Sequence, residues 1–175
     1  MLGYFITICA YATWLHGDAK GSVDRDHNRV GEELLGRDEE RSRRGRHLLP
    51  GPPMSFGPEA RWVIDSTVRE VCAYRGWILV AMNVRTTHLH VVVTALEAKP
   101  ERVMNDLKAY CTRRLYEAGV VERGRRVWSY HGSTRYLETD ESFNRAVEYT
   151  MNEQGPGLSM VRPAGFERGI EDARG

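Results

Sequence analysis

The most informative hydrophobic and polar pattern lies in residues 83–95, where His88 and His90 flank Leu89 and lead directly into the valine run 91–93. β-Branched residues favour strands, and residues i and i+2 of a strand project from the same face. The pattern therefore predicts two imidazoles side by side on one rigid element. Because neutral imidazole is the commonest metal-binding side chain, a metal site is one interpretation. The other is a half-exposed strand that carries two polar residues, and a lone His-x-His motif by itself favours this second interpretation.

The rest of the chain shows both strand-like and helix-like patterns. Runs of aromatic and β-branched residues favour strands, and apolar stripes at 3.6-residue spacing favour helices. Proline at the first helical position and Thr, Asp or Gly at the ends mark helix boundaries. The predicted elements are a strand over 4–13, a helix from Pro58 to Gly76, a strand over 77–82, the His-bearing strand, a helix from Pro100 to about Gly119, a strand over 127–137 with a bulge or bend at Gly132, and a helix from Thr139 or Asp140 through Glu153.

This β-α-β-β-α-β-α order predicts an α+β fold of the ferredoxin-like, split βαβ type. In that fold the helices cover one face of an antiparallel sheet, and the two central strands come from opposite halves. We expect one domain over 1–154 with a third helix appended at its end. A long irregular insertion at about 15–57 lacks periodicity, and 155–175 forms a polar C-terminal tail.

Composition narrows the class of protein only slightly. The chain has 175 residues, 41% hydrophobic and 28% charged, which is ordinary for a globular domain. Its formal net charge of +1 gives no argument for nucleic acid. Of 25 basic residues, all but Lys20, Lys99 and Lys108 are arginine. Arginine suits phosphate recognition, but a GC-rich genome produces the same bias, and both explanations stay open.

The cysteines and the apolar segments predict where the protein is found. Cys9, Cys72 and Cys111 are scattered, as expected for free thiols in a reducing compartment. The apolar start of the chain lacks a basic region and a cleavage site, and no stretch is long enough to span a membrane. We therefore expect a cytoplasmic protein without a membrane partner.

The last predicted helix contains a tyrosine away from its apolar stripe. The stripe consists of Phe143, Val147, Thr150 and Met151. Tyr149 lies roughly 130° from the centre of this stripe on a helical wheel. Glu153 follows at i+4 and shares that side of the helix. Either Tyr149 is an ordinary surface residue that lies over the sheet, or it has a chemical role.

Taken together, these features resemble the single-tyrosine HUH endonuclease transposases, especially the REP-associated tyrosine transposases. The likeness covers nearly all of residues 3–154. Its motifs are residues 3–7 with 13–18, the His88-Leu89-His90 triplet followed by hydrophobic residues, and Val127-Trp128 with Glu148-Tyr149 and Asn152 near the end of the last helix. The chain departs from the family at Thr87, where asparagine is common, and after Tyr149, where the proline is displaced to position 156.

The resemblance implies a metal-dependent reaction on DNA. His88 and His90 would hold Mg²⁺ or Mn²⁺, and Tyr149 would attack a phosphate of single-stranded DNA to form a 5′-phosphotyrosine. Glu153 is the expected third ligand, with Asn152 and Gln154 as alternatives. Tyr110 and Tyr116 are competing nucleophiles on the preceding helix. The family also implies a hairpin in the bound DNA, a homodimer and an association with the nucleoid.

A basic, aromatic stretch supports the expectation of a DNA surface. Between Leu107 and Tyr136 there are seven basic residues against two acids, interleaved with Trp128 and Tyr130. Cations follow phosphates and rings stack on bases in grooves for single strands. The predicted DNA-binding residues are Lys108, Arg113, Arg114, Arg125, Arg126 and Arg135. The alternative function is a domesticated protein that binds single-stranded or hairpin DNA without cleaving it. A two-histidine phosphodiesterase is disfavoured, because no pair of His-x-Thr/Ser motifs is present.

Overall fold

A computed structural model describes residues 1–13 and 51–164 of the chain. In these residues the elements are β1 (Gly3–Cys9), α1 (Pro58–Arg75), β2 (Ile78–Val84), β3 (His88–Thr94), α2 (Pro100–Glu117), β4 (Ser133–Leu137) and α3 (Asp140–Asn152). Their order matches the predicted β-α-β-β-α-β-α pattern. None of the described helices combines the length and apolar character needed to cross a lipid bilayer.

The four strands form one sheet in the order β2-β3-β1-β4, and every neighbouring pair is antiparallel. The central strands β1 and β3 come from opposite βαβ halves, as the ferredoxin-like prediction requires. β2 and β3 are joined by a tight hairpin in which Arg85 donates its backbone N–H to the carbonyl of His88 at 2.8 Å. The predicted fold class is therefore confirmed.

The main core lies between one face of the sheet and the helices α1 and α2. The apolar side chains on this face are almost completely buried, as are those on the facing stripes of the two helices. Both helices begin with a proline at their first turn, and α1 ends at Gly76 with a left-handed φ of 69°. The core members with 0–1% exposure include Ile6, Ile8, Leu89, Val91, Val63, Ile64, Val68, Leu107 and Leu115.

The third helix covers the opposite face of the sheet. Ala146 and Phe143 of α3 pack on a smaller cluster formed by Ala81, Val92 and Leu137. The predicted arrangement of helices on one face thus holds for α1 and α2, and the appended helix lies on the other side. His90 is opposite Thr7 in the strand register and on the same side as Val92, so the histidines share the face that α3 covers.

Two strand boundaries differ from the prediction. β1 ends at Cys9 instead of Thr13, because Ala10 forms only an isolated bridge with Trp128 and Ala12 turns the chain with a φ of 63°. β4 begins only at Ser133, because the residues immediately before it do not pair with β1. A Cβ on Gly132 would lie 2.5 Å from the carbonyl oxygen of Thr7, so the predicted irregularity at this glycine is present.

The end of the predicted irregular insertion belongs to the core. Residues 14–50 lie outside the described part of the chain, whereas residues 51–57 are described. Phe56 is completely buried, and its backbone N–H bonds the carbonyl of Thr86 at 2.7 Å. The backbone N–H of Met54 likewise donates to the carbonyl of Tyr11 at 2.8 Å. Met54 and Phe56 are isolated apolar residues among prolines and glycines and show no periodicity. The sequence analysis therefore did not predict that they belong to the core.

The predicted polar tail is packed along the domain over its first part. The Arg85 guanidinium donates to the carbonyl of Pro156 at 2.8 Å, and the buried Arg61 guanidinium donates to that of Ser159 at 2.6 Å. Pro163 is buried. These contacts use backbone carbonyls of the tail, which a side-chain pattern does not reveal. Residues 165–175 lie outside the described part of the chain.

Candidate active site

The two histidines lie at the beginning of β3 with their ring centroids 4.8 Å apart. Each ring is held by a threonine hydroxyl at Nδ1. His90 Nδ1 is 2.9 Å from Thr7 Oγ1, and His88 Nδ1 is 3.1 Å from Thr87 Oγ1. A partner at one ring nitrogen fixes the ring orientation and leaves the other nitrogen for a ligand. The structure thus brings the predicted pair together, with both Nε2 atoms on the side away from the threonines.

The residue beside the histidines at the end of α3 is Gln154. Its Oε1 lies 3.4 Å from His88 Nε2, and its side chain is half-buried. Glu153 and Asn152 are exposed. The role of Glu153 as third metal ligand stays a prediction. Of the three alternatives raised by the sequence, Gln154 is the one whose side chain contacts a histidine.

Tyr149 packs against the sheet next to His90. Its ring centroid is 5.4 Å from that of His90 and 5.9 Å from that of Phe5, and 37% of the residue is exposed. The sequence predicted Tyr149 away from the apolar stripe of the helix, and its partly exposed ring lies over the sheet beside that stripe. Met151, which was assigned to the apolar stripe, is instead 57% exposed.

The rotation of α3 explains this difference. Ala146 and Thr150 are the buried residues of the helix, and Asn83 of β2 donates its side-chain N–H to the carbonyl of Thr150 at 3.0 Å. With Ala146 at the centre of the contact, Tyr149 lies at one edge of the packed face. The ring therefore contacts His90 and Phe5 on one side and solvent on the other.

His90 is held in its neutral form by its surroundings. Its pKa is lowered to about 4, mainly by burial and also by the neighbouring His88, while a hydrogen bond that the ring donates to the Gln154 side chain opposes the shift. At neutral pH the ring therefore has a lone pair to offer. This is the protonation state that a metal ligand needs.

The donor set fits a divalent cation that keeps part of its water shell. In residues 1–13 and 51–164, no group of three or more His, Cys, Asp or Glu side chains could hold a metal. Two imidazole nitrogens from His88 and His90 with one amide oxygen from Gln154 make a mixed set on one side of a cation. Mg²⁺ and Mn²⁺ accept oxygen ligands and retain waters, and imidazole suits transition metals.

Three of the predicted DNA-binding residues lie on α2, across the sheet from the histidines. Lys108 is half-buried and donates to the carbonyls of Ser129 at 3.1 Å and Tyr130 at 3.3 Å, and burial lowers its pKa. Arg114 pairs with Glu70 at 3.3 Å. Arg113 lies over the Tyr110 ring, 5.0 Å from its centroid. Their contacts stabilise the domain, and their role in DNA binding stays untested.

The other three predicted cations lie closer to the sheet end that carries the site. Arg125 and Arg126 are exposed near Tyr11, and the Arg126 guanidinium is 5.9 Å from the Tyr11 ring centroid. Arg135 of β4 is the register partner of Phe5. Because the Phe5 ring contacts both Tyr149 and His90, Arg135 is the predicted cation on the face of the histidines.

Several contributors to the site were missed by sequence reasoning. Thr7, Phe5 and Asn83 become neighbours of the histidines or of α3 only through the strand register. Phe5 and Thr7 belong to the 3–7 motif of the resemblance but had no role assigned to them, and Asn83 has no motif of its own. Only the alternation of side chains in β1 could have suggested that Phe5 and Thr7 share a face.

With this geometry in place, comparison with known proteins gives distant likenesses. No protein-family model matches the chain, and no curated protein matches it. One similar solved structure is a REP-associated tyrosine transposase bound to a REP hairpin, at 9% identity and a TM-score of 0.45. The match covers 85% of this chain and 64% of the other, so the chain spans less than two thirds of that protein.

A second similar structure is a protein from Deinococcus radiodurans R1 described as a candidate transposase. It shares 13% identity with a TM-score of 0.46, and the match covers 91% of this chain and 92% of the other. The first structure carries the name of the family that the sequence motifs resemble. Both likenesses are too distant to assign a reaction.

Proposed function

We propose that this protein is a transposase-type enzyme, a metal-dependent endonuclease and strand transferase for single-stranded DNA, with Tyr149 as nucleophile. The observation that supports this most directly is the position of the Tyr149 ring, 5.4 Å from His90 on the face that also holds His88. A tyrosine, two imidazoles and an amide oxygen from one chain converge there. Such a site suits a phosphate in an exposed strand.

The proposed reaction exchanges one phosphodiester bond for another. The Tyr149 oxygen forms a bond to phosphorus, the bond from phosphorus to the 3′ oxygen breaks, and the leaving oxygen takes up a proton as a free 3′-OH. The tyrosine proton passes to solvent, which reaches the partly exposed ring. Attack by another 3′-OH reverses the step and completes strand transfer, so no nucleotide cofactor is required.

Mg²⁺ or Mn²⁺ bound by His88 and His90, with Gln154 or Glu153 as third ligand, would supply Lewis-acid stabilisation of the charge on the phosphate. The chain prepares the site for this role in two ways. Thr7 and Thr87 orient the rings, and burial keeps His90 neutral. Both effects lower the cost of ordering the site when substrate binds.

The proposed DNA partner is a single strand that includes a hairpin. Arg135 is the residue that we assign to a phosphate next to the cleaved one, because it flanks Phe5 on the site face. The homodimer expected from the family is part of the proposal. In it each copy would use its own tyrosine, since Tyr149 lies beside His90 of the same chain.

The test is an assay for a covalent protein–DNA adduct on a denaturing gel. Single-stranded DNA from both flanks of the gene is incubated with Mn²⁺ and either the wild-type protein or Tyr149→Phe. We expect an adduct that requires metal and is absent from the variant. Tyr110→Phe is the matched control and should form the adduct normally.

Two outcomes would contradict parts of this proposal. An adduct that persists in Tyr149→Phe would show that Tyr149 is not the nucleophile, and Tyr110 or Tyr116 would then be the candidates. Retarded DNA without any adduct, on substrates from both flanks, would favour the protein that binds DNA without cleaving it.

A further inference from the structure

Residues 130–132 form a bulge beside the site, at the end of β1. Ser133 is opposite Thr7, and Ser129 donates its backbone N–H to the carbonyl of Cys9 at 3.0 Å. Residues 130–132 therefore face the single residue between those two positions of β1. Bulges re-aim side chains and are frequent next to active sites. We call these three residues the 130–132 bulge.

The backbone of the 130–132 bulge is fixed from several directions. Lys108 donates to the carbonyls of Ser129 and Tyr130, and the Ser129 hydroxyl donates to that of Ala10 at 2.8 Å. Gly132 lies so close to Thr7 that any Cβ would collide with its carbonyl oxygen. The bulge is thus a built feature with little freedom to collapse.

Its side chains are nevertheless presented to solvent. Tyr130 is 91% exposed, and its ring makes an edge contact with His131 at 4.6 Å between centroids. The other aromatic candidates of this region are engaged. Trp128 packs on Phe56 and donates its indole N–H to the carbonyl of Lys108, and Tyr136 contacts Tyr4 on the other side of the sheet.

The position of the bulge relates it to the histidines. Cys9 is paired with His88 on one side and bonded to Ser129 on the other. Two strand spacings of about 4.8 Å put the backbone of Ser129 roughly 10 Å from that of His88. A ring on the next residue is therefore within reach of a nucleotide that flanks a phosphate held at Tyr149.

We propose that Tyr130, supported by His131, is a stacking platform for an unpaired base of the DNA strand next to the cleaved phosphate. The inference rests on the proposed function and adds a binding residue to it. An exposed ring on a fixed backbone loses little conformational entropy when a base stacks on it. Single-stranded DNA fits this surface because its bases are free to leave their own stack.

Fluorescence of an oligothymidylate that carries one 2-aminopurine tests the platform, because stacking on a ring quenches that base. Anisotropy of the same probe gives its affinity. Tyr130→Ala is expected to weaken binding by roughly tenfold or more and to relieve the quenching, whereas Tyr130→Phe keeps both. Tyr74→Ala is the matched control, since Tyr74 is a 65% exposed tyrosine on α1.

The platform is overturned if Tyr130→Ala binds and quenches like the wild type, if Tyr74→Ala loses as much affinity, or if Tyr130→Phe does not restore binding. A wild-type protein that fails to bind the probe overturns it as well. The adduct assay separates the two proposals. If quenching depends on Tyr130 but no adduct forms, the cleavage chemistry is rejected and the platform stands. If the adduct forms normally but binding does not depend on Tyr130, the platform is rejected and the cleavage chemistry stands.

Discussion

The Thr7–His90 pair shows how a single hydroxyl prepares the site. Thr7 is 8% exposed and His90 is 6% exposed, so their 2.9 Å contact is sheltered from water. Removing one member of a buried hydrogen bond leaves the other without a partner and frees its orientation. The pair therefore links the register between β1 and β3 to the chemistry of one ring nitrogen.

Replacing Thr7 by valine should weaken metal-dependent adduct formation about 10- to 100-fold, in the range found for partners that orient metal ligands. The measurement is the Mn²⁺ concentration that gives half of the maximal adduct. Thr7→Ser retains the hydroxyl and should stay near wild type. Thr94→Val alters a half-buried threonine on the same sheet face, whose hydroxyl donates to the carbonyl of Leu2, and is the control for a general effect on the sheet. Equal metal requirements in Thr7→Val and wild type would reject this role.

His90 should also make the metal-free protein sensitive to acid. Its pKa is about 4 in the folded protein and near 6.5 in the unfolded chain, so the unfolded chain binds more protons between these values. The stability that depends on a neutral His90 is therefore fully present above pH 6.5, and it is lost as pH falls toward 4. The urea midpoint in the presence of a chelator should therefore decrease more between pH 7 and pH 5 in wild type than in His90→Gln. Equal decreases would contradict the assignment.

Among the elements, α3 carries the nucleophile and is secured at both ends. Thr139 caps its start, and the Thr139 and Ser142 side chains each accept a backbone N–H from the other residue at 3.2 Å. Near its other end, Asn83 holds the carbonyl of Thr150. A helix of only 13 residues depends on such contacts, because isolated helices of this length are marginal in water.

Loss of the cap should loosen the beginning of α3. Thr139→Ala is expected to lower the free energy of unfolding by about 1 kcal/mol, as is typical for N-cap residues, while Thr139→Ser keeps most of it. Urea denaturation measures the change, and hydrogen exchange should locate it in the first turns of α3. Unchanged exchange in those turns, together with unchanged stability, would show that the cap is dispensable.

At the scale of the whole molecule, the site is assembled within one chain. β1, β3 and α3 each contribute side chains, and Tyr149 lies beside its own His90. In a dimer that exchanged helices, the tyrosine of one copy would serve the histidines of the other. The two arrangements differ in how inactive variants complement each other.

A mixture of Tyr149→Phe and His90→Ala should therefore form no adduct. If each copy uses its own tyrosine, every site in the mixed population lacks either the nucleophile or a histidine. Recovery of adduct on mixing would mean that helices are exchanged between copies. A gel-filtration profile of the mixture shows whether mixed dimers were present, and the wild-type protein at equal concentration sets the maximal yield.

The local patterns of the sequence were enough for the element order and the class of fold. Alternation in β3 put His88 and His90 on one face, and prolines marked the starts of α1 and α2. These features depend on neighbours a few residues apart, so a single sequence contains them. The resemblance to tyrosine transposases added the hypothesis of Tyr149 as nucleophile, which the adduct assay tests.

The tertiary structure alone decided which residues meet. The pairing of Thr7 with His90 follows from a register between strands 83 residues apart in the chain, and the rotation of α3 follows from Ala146 and Thr150 fitting against the sheet. Arg114 pairs with Glu70 on another helix, a contact that no sequence pattern shows, and its role in DNA binding stays a prediction. Such contacts arise because packing brings distant segments together, and the spacing of residues along one segment carries no record of its partner.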